Sequence, residues 1–166
     1  MMDRLWAPWR LQYIKSADRI NEEGCIFCDL PAQDPENDRE NLILQRAIHS
    51  FIIMNKFPYN GGHLMIVPYK HTNRFDELNS DEKLELMNLL EDSMEAFANT
   101  FEPHGYNIGM NLGRVAGAGI KDHLHFHIVP RWNGDTNFMP VIGKTKVISV
   151  GLDEVWETLH KQFNLS

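Results

Sequence analysis

Only two cysteines occur among the 166 residues, both within Cys25-Ile26-Phe27-Cys28. That is too few for the disulfide framework of a small secreted protein, and the pair is too close together to staple distant segments. Long apolar runs are missing as well. The run Phe51 to Met54 falls far short of the ~18 residues that a membrane span requires, and no hydrophobic leader precedes a small-residue cleavage site. A cytoplasmic protein with no membrane partner is expected. Cationic charge is scarce too: 16 Lys and Arg stand against 23 Asp and Glu, for a net charge of -7. Proteins that coat nucleic acid draw most of their affinity from a dense cationic face, so nucleic acid is not an expected partner. A small anionic ligand held by a local site is compatible with the same balance. No linker divides the chain, which predicts one domain over residues 1–166.

What is present is an ordinary core-forming composition, 43% hydrophobic and 23% charged. Residues 1–20 carry Trp6 and Trp9 without a sustained period and read as an irregular arm. LILQ, SFIIMN and HLMIVP are strand candidates, the last following the turn signal Pro58-Tyr59-Asn60-Gly61-Gly62. Between Ser80 and Phe101 the period changes. Leu84, Met87, Leu90, Met94, Phe97, Ala98 and Phe101 recur at steps of three and four, which predicts an amphipathic helix capped by Ser80. Tyr106, Ile108, Met110 and Leu112 then alternate with polar neighbours as in a half-buried strand, and a second alternating strand is expected from His123 to Val129. Leu152, Val155, Trp156, Leu159 and Phe163 mark a C-terminal helix. The predicted class is α+β, with an antiparallel sheet of about five strands packed against one long and one C-terminal helix.

His123-Leu124-His125-Phe126-His127-Ile128-Val129 carries the chemistry. Period-2 geometry sends Leu124, Phe126 and Ile128 to the core and the three imidazoles to the opposite face. The bland alternative is a solvated histidine-rich strand. Imidazole is neutral and nucleophilic near pH 7, so a histidine can attack phosphorus directly while its neighbours hold phosphate oxygens. Upstream, Asn111 and the glycine-rich turn Gly113 to Gly119 offer backbone N–H groups able to converge on an anion. Cys25-x-x-Cys28 has three readings: half of a zinc site, a redox pair, or two buried thiols. Ile-Phe between the thiols suits the redox reading poorly. His49, His104 and His160 read as solvated, the tryptophans as packing residues, and the acidic residues of the long helix as a solvated face.

The sequence HLHFHIV resembles the signature of the histidine triad superfamily of nucleotidyl hydrolases and transferases. NKFPYNGGHLMIVP, HGYNIGMNLG and VPRW match further segments, so the resemblance covers roughly residues 25–132 as a core. It leaves an arm over 1–24 and an extension with a helix over 133–166. RLWAPWR and the segment after VPRW look like a bacterial branch similar to diadenosine tetraphosphate phosphorylases. The resemblance implies that His125 is the nucleophile, that His127 contacts phosphate and aids leaving-group departure, and that His63 is a buried supporting histidine. It implies substrate contacts from Asn55, which would hold ribose hydroxyls, and from Asn111, Gly117, Ala118 and Gly119 at phosphate. A structural zinc ion on Cys25, Cys28, His71 and His123 is implied as well, as is a homodimer.

The leading reading is cleavage of an adenine dinucleotide polyphosphate at the α-phosphorus through a nucleotidyl-histidine, with phosphate or water as acceptor. A nucleoside phosphoramidate hydrolase and a non-catalytic nucleotide-binding module are the alternatives. A zinc-hydroxide site on His123, His125 and His127 is disfavoured, because side chains at i and i+4 of one strand are ~13 Å apart.

Overall fold

The computed structural model describes residues 24–137, 142 and 150–164. Trp6, Trp9 and almost all of the expected arm lie outside the described residues, as does much of the extension before the last helix. The elements in chain order are a single helical turn α1 (Ile26–Asp29), β1 (Ile43–Arg46), β2 (Ser50–Met54), β3 (Leu64–Pro68), α2 (Ser80–Ala98), β4 (Gly105–Met110), β5 (Phe126–Arg131) and α3 (Leu152–Phe163). The five strands form one antiparallel sheet in the order β1-β2-β3-β5-β4. This is the α+β architecture that the periodicities predict.

Successive strand residues face opposite sides, and here both sides of the central strands are covered. Ile52, Met54, Leu64 and Ile66 join Leu86, Leu89, Phe97, Val155 and Leu159 in a core beneath α2 and α3. Phe51, Ile53, Met65 and Val67 form a second cluster on the other face with Phe27 and Ile43. Double coverage explains why SFIIM and LMIVP are continuous apolar runs instead of alternating ones. It also means that the segment bearing the two thiols is a lid on the sheet.

Three local expectations are corrected. The N-cap of α2 is Asn79, not Ser80: Asn79 Oδ1 accepts from the Glu82 N–H at 2.9 Å, and a Glu82 carboxylate oxygen accepts from the Asn79 N–H at 2.7 Å, a complete capping box. The buried face of α2 is Leu86, Leu89, Leu90, Ser93, Ala96 and Phe97, whereas Leu84 and Met87 are 60% and 44% exposed. The helix sits in the groove between the sheet and α3, and those neighbours select a stripe rotated from the one that spacing suggests. On β4, Tyr106 and Met110 touch the core while Ile108 is 43% exposed, and Leu112, expected in the same strand, lies beyond its end and is 50% exposed. β4 is an edge strand, and the helices do not reach over its middle.

Strand β5 starts at Phe126, three residues later than expected. His123 to His125 precede it in irregular backbone that is tied by the Leu124 N–H to the Thr72 carbonyl at 2.7 Å. The inward set is nevertheless as alternation predicts, since Leu124, Phe126 and Ile128 all belong to the helix-side core. His160 is not a solvated helix residue. Its ring stacks on Trp156 at 4.2 Å and its Nδ1 lies 3.1 Å from the Leu44 carbonyl, which with Trp156 Nε1–H donating to the Ile43 carbonyl ties α3 to β1. Among the described residues no helix is long and apolar enough to cross a membrane.

Candidate active site and metal cluster

Antiparallel register brings the histidines together. Met65 on β3 faces His127 on β5, and His63 immediately precedes β3, so the two rings meet across neighbouring strands. His63 is 1% exposed, and its Nε2 lies 2.9 Å from His127 Nδ1. The backbone N–H of Tyr59 donates to His63 Nδ1 at 3.1 Å. A neutral imidazole that accepts at Nδ1 carries its proton on Nε2, so His63 donates to His127 Nδ1. The His127 proton then resides on Nε2.

His125 is 4% exposed and its Nδ1 lies 2.9 Å from the His123 carbonyl oxygen. A carbonyl only accepts, so Nδ1 carries the proton and Nε2 carries the lone pair. Burial pushes the His125 pKa below the ordinary imidazole value, against the opposing pull of that carbonyl, and keeps the ring neutral. The rings of His125 and His127 are 4.8 Å apart at 77°. One buried imidazole thus presents a lone pair beside a second that presents an N–H, a pairing suited to attack on phosphorus with a hydrogen bond to a departing oxygen.

The loop between β4 and β5 departs from the expected cradle in one respect. Gly117 has φ +89°, a conformation that favours glycine, and its N–H closes a turn on the Arg114 carbonyl at 3.0 Å. The Ala118 N–H makes a long 3.4 Å contact with the Gly113 carbonyl, and Gly119 N–H has no hydrogen bond among the described residues. Asn111 and Gly119 are half-buried. Asn55 is 9% exposed; its Oδ1 accepts from the Phe57 N–H at 2.9 Å and its Nδ2 lies 3.3 Å from His63 Nδ1. In this conformation its amide braces the turn before His63.

His123 faces elsewhere. Its Nε2–H donates to the Pro68 carbonyl at 2.7 Å, which leaves the Nδ1 lone pair 3.3 Å from Cys25 Sγ and 3.6 Å from Cys28 Sγ. His71 Nδ1 is 3.3 Å from Cys28 Sγ, and all four donor atoms lie within 4.8 Å of one another. Tetrahedral zinc with Zn–S of about 2.3 Å and Zn–N of about 2.0–2.1 Å requires S···N edges of about 3.5 Å, and the three S···N separations of 3.3, 3.3 and 3.6 Å are close to that. Burial disfavours charge on both kinds of donor in the free site. Burial, followed by the neighbouring His71 and His125, lowers the His123 pKa to about 4, while burial and Cys25 push the Cys28 thiol up to about 11. A divalent ion would reverse the thiol shift by stabilising thiolate. The Cys25-Cys28-His71-His123 group could therefore hold a metal. His123 is turned toward the thiols and His127 toward His63, so the three triad rings do not converge on one ion.

Phe27 and Tyr59 are absent from the sequence-based site. Phe27 touches His123 and His125, and Tyr59 stacks on His63 with centroids 4.7 Å apart. Their only signals were a position inside Cys-x-x-Cys and a place in a turn. His49 and His104 stand apart: the His49 N–H donates to Glu85, and His104 Nδ1 accepts from the Asn133 N–H. Trp132 donates to the Phe101 carbonyl as a packing residue. A cavity of roughly 400 Å³ bounded by Gly62, Phe97, Trp132 and Val155 adjoins the helix-side core and has no histidine in its lining.

The HIT domain model matches residues 36–134, which span all five strands and the triad. The chain belongs to the HIT domain family. It is 37% identical over 153 residues to a Mycobacterium tuberculosis protein named AP-4-A phosphorylase, covering 89% of this chain and 77% of that one. It is 38% identical over 137 residues to an uncharacterized HIT-like protein of Methanocaldococcus jannaschii, covering 79% and 95% respectively. The HIT fold here also overlays a Zn-bound histidine triad family protein from Mycobacterium smegmatis with a TM-score of 0.67 at 20% identity, over 86% of this chain and 94% of that one. HIT-family membership and the first likeness together support a nucleotide-processing enzyme.

Proposed function

We propose that the protein is a nucleotidyl transferase or hydrolase that cleaves an adenine dinucleotide polyphosphate, of the diadenosine tetraphosphate kind, at its α-phosphorus. The observation that carries this reading is the buried, neutral His125, with its Nδ1 proton held by the His123 carbonyl and a lone pair on Nε2. Nε2 attacks the α-phosphorus, forming a P–N bond as the bond to the leaving nucleotide's bridging oxygen breaks. The leaving nucleotide departs as its phosphate anion, with His127 Nε2–H keeping its proton and donating a hydrogen bond to that oxygen while His63 supports His127 from behind. Phosphate or water then attacks the nucleotidyl-His125 and frees the ring. Asn111 and the Gly119 N–H are assigned to phosphate, Ala118 and Gly117 to shaping that loop, and Asn55 to the ribose once substrate draws its amide from the turn.

Cys25, Cys28, His71 and His123 are assigned a structural zinc ion. Four protein donors complete a tetrahedral site and leave no position for water, so the ion would supply cross-linking and charge neutralisation, not a hydroxide. A cytoplasmic homodimer completes the reading; the open edge of β4 with its exposed Ile108 supports pairing with a second copy.

The test is incubation with diadenosine tetraphosphate, with and without inorganic phosphate. Phosphorolysis yields ADP and ATP, and hydrolysis yields AMP and ATP. If neither pair forms while nucleotide still binds, the chain is a binding module and the catalytic reading is wrong.

A further inference from the structure

The turn from Pro58 to Gly62 is clamped from three sides. Asn60 Nδ2 donates to the Pro130 carbonyl at 3.0 Å and to Asp135 Oδ2 at 2.9 Å. Gly62 adopts φ +76°, and a Cβ there would lie 2.8 Å from the Phe97 ring, so the turn is pressed against α2. Tyr59 is thereby fixed over His63, its ring stacked at 4.7 Å and 27° and its backbone N–H aimed at Nδ1. The same ring lies 6.0 Å from His127. Asn55 adds a second donor toward Nδ1, because its Oδ1 is committed to the Phe57 N–H and its Nδ2 must therefore face the imidazole.

We propose that Tyr59 is a positioning residue that locks the tautomers of His63 and His127. With donors facing His63 Nδ1, only the Nε2–H tautomer satisfies the buried ring. The stacked phenol ring holds that imidazole in the plane that aims Nε2–H at His127 Nδ1. His127 then carries its proton on Nε2, the nitrogen that the proposed reaction uses to hydrogen-bond the leaving oxygen. Without the stack, the His63 ring has room to tilt out of line with both the Tyr59 N–H at its Nδ1 and His127 Nδ1 at its Nε2, so the hydrogen bonds that fix the two tautomers weaken together. Tyr59 acts through His63 and His127 and forms no bond in the reaction. The inference rests on the nucleotidyl-transfer reading for its consequence, though not for the tautomers themselves.

Two measurements on the full chain separate these. Two-bond ¹H–¹⁵N correlation spectra of the histidine side chains at neutral pH report the tautomers without any substrate. The wild type and Tyr59→Phe should have Nε2–H at both His63 and His127, and Tyr59→Ala should have mixed tautomers at both. Tyr59→Leu serves if the alanine variant does not fold, with the same expectation. Kinetically, the non-aromatic variant should lower kcat on diadenosine tetraphosphate by about tenfold, a part of what one aimed hydrogen bond to a developing oxyanion contributes. On the p-nitrophenyl ester of AMP, whose leaving phenolate spreads its charge over the nitro-substituted ring and gains little from a hydrogen bond, the loss should be under about twofold. Wild-type tautomers in both non-aromatic variants overturn the proposal. So do mixed tautomers with equal losses on the two substrates, which mark a merely structural residue. If the wild type cleaves neither substrate, the functional reading fails while the spectra still decide the tautomer lock.

Discussion

The ring of Phe27 leans against the imidazole of His125, with centroids 5.0 Å apart and planes inclined by 53°. The same ring meets His123 edge-on at 5.5 Å, and Phe27 is fully buried between the two thiol-bearing residues. One side chain therefore joins the metal-binding group to the proposed nucleophile. Phe27→Ala should cost about 3–5 kcal/mol in denaturant unfolding, and it should slow formation of the nucleotidyl-enzyme in single turnover because His125 gains room to rotate. Phe27→Leu should lose clearly less of both. Wild-type stability in the alanine variant would mean that the lid over the sheet is not packed as described.

His125→Ala and His125→Asn should abolish turnover, since among the described residues no other ring on that surface combines burial with a proton fixed on Nδ1. Nucleotide binding should survive in both, measured by calorimetry, and acid-labile adenylate should be trapped only on the wild type. Turnover of His125→Ala at the wild-type rate would remove it as the nucleophile.

Protein purified without added metal should contain about one zinc per chain by elemental analysis, given the tetrahedral donor set. A chelator should lower the melting temperature first and activity second, because the ion ties the Cys25-Cys28 segment to His71 and, through His123, to the backbone that ends at His125. Metal well below stoichiometry, with melting unchanged in chelator, would return the two cysteines to buried thiols.

In solution the protein should scatter as twice the 19.3 kDa of one chain. Ile108→Lys on the open edge of β4 should shift it to the single-chain mass, since a buried ammonium has no partner there. A monomeric wild type at micromolar concentration contradicts the dimer.

Asn79→Ala removes the side-chain half of the α2 capping box and should cost about 1 kcal/mol of stability. Asn79 is exposed and its side chain is engaged with the Glu82 N–H, so the rate of nucleotidyl transfer on the folded protein should be unchanged.

Much of this architecture was written in local periodicity. Strand alternation alone sends Leu124, Phe126 and Ile128 one way and the three imidazoles the other, and the apolar runs around Ile52 and Ile66 read as strands because no helix period fits them. Helix existence was equally legible, but the inward face of α2 was not. Leu84 and Met87 satisfy the three-and-four spacing as well as Leu86 and Leu89 do, and only the sheet and α3 choose between the two stripes. The exposure of Ile108 follows in the same way from strand order, which places β4 at an edge that no local pattern specifies.

At the site, the sequence by itself determined which chemistry was available: a nucleophilic imidazole, a second beside it, two thiols three residues apart. It left open what each group faces. Cys25 meets His123 across 98 residues and Cys28 meets His71 across 43, distances along the chain over which spacing carries no geometric information. The proton positions are likewise tertiary. His125 keeps Nδ1–H because a carbonyl two residues back is turned toward it, and His63 keeps Nε2–H because a turn clamped by Asn60 and Asp135 delivers the Tyr59 amide to its other nitrogen. An imidazole's tautomer is set by its hydrogen-bond partners, and those partners are assembled only when the sheet closes.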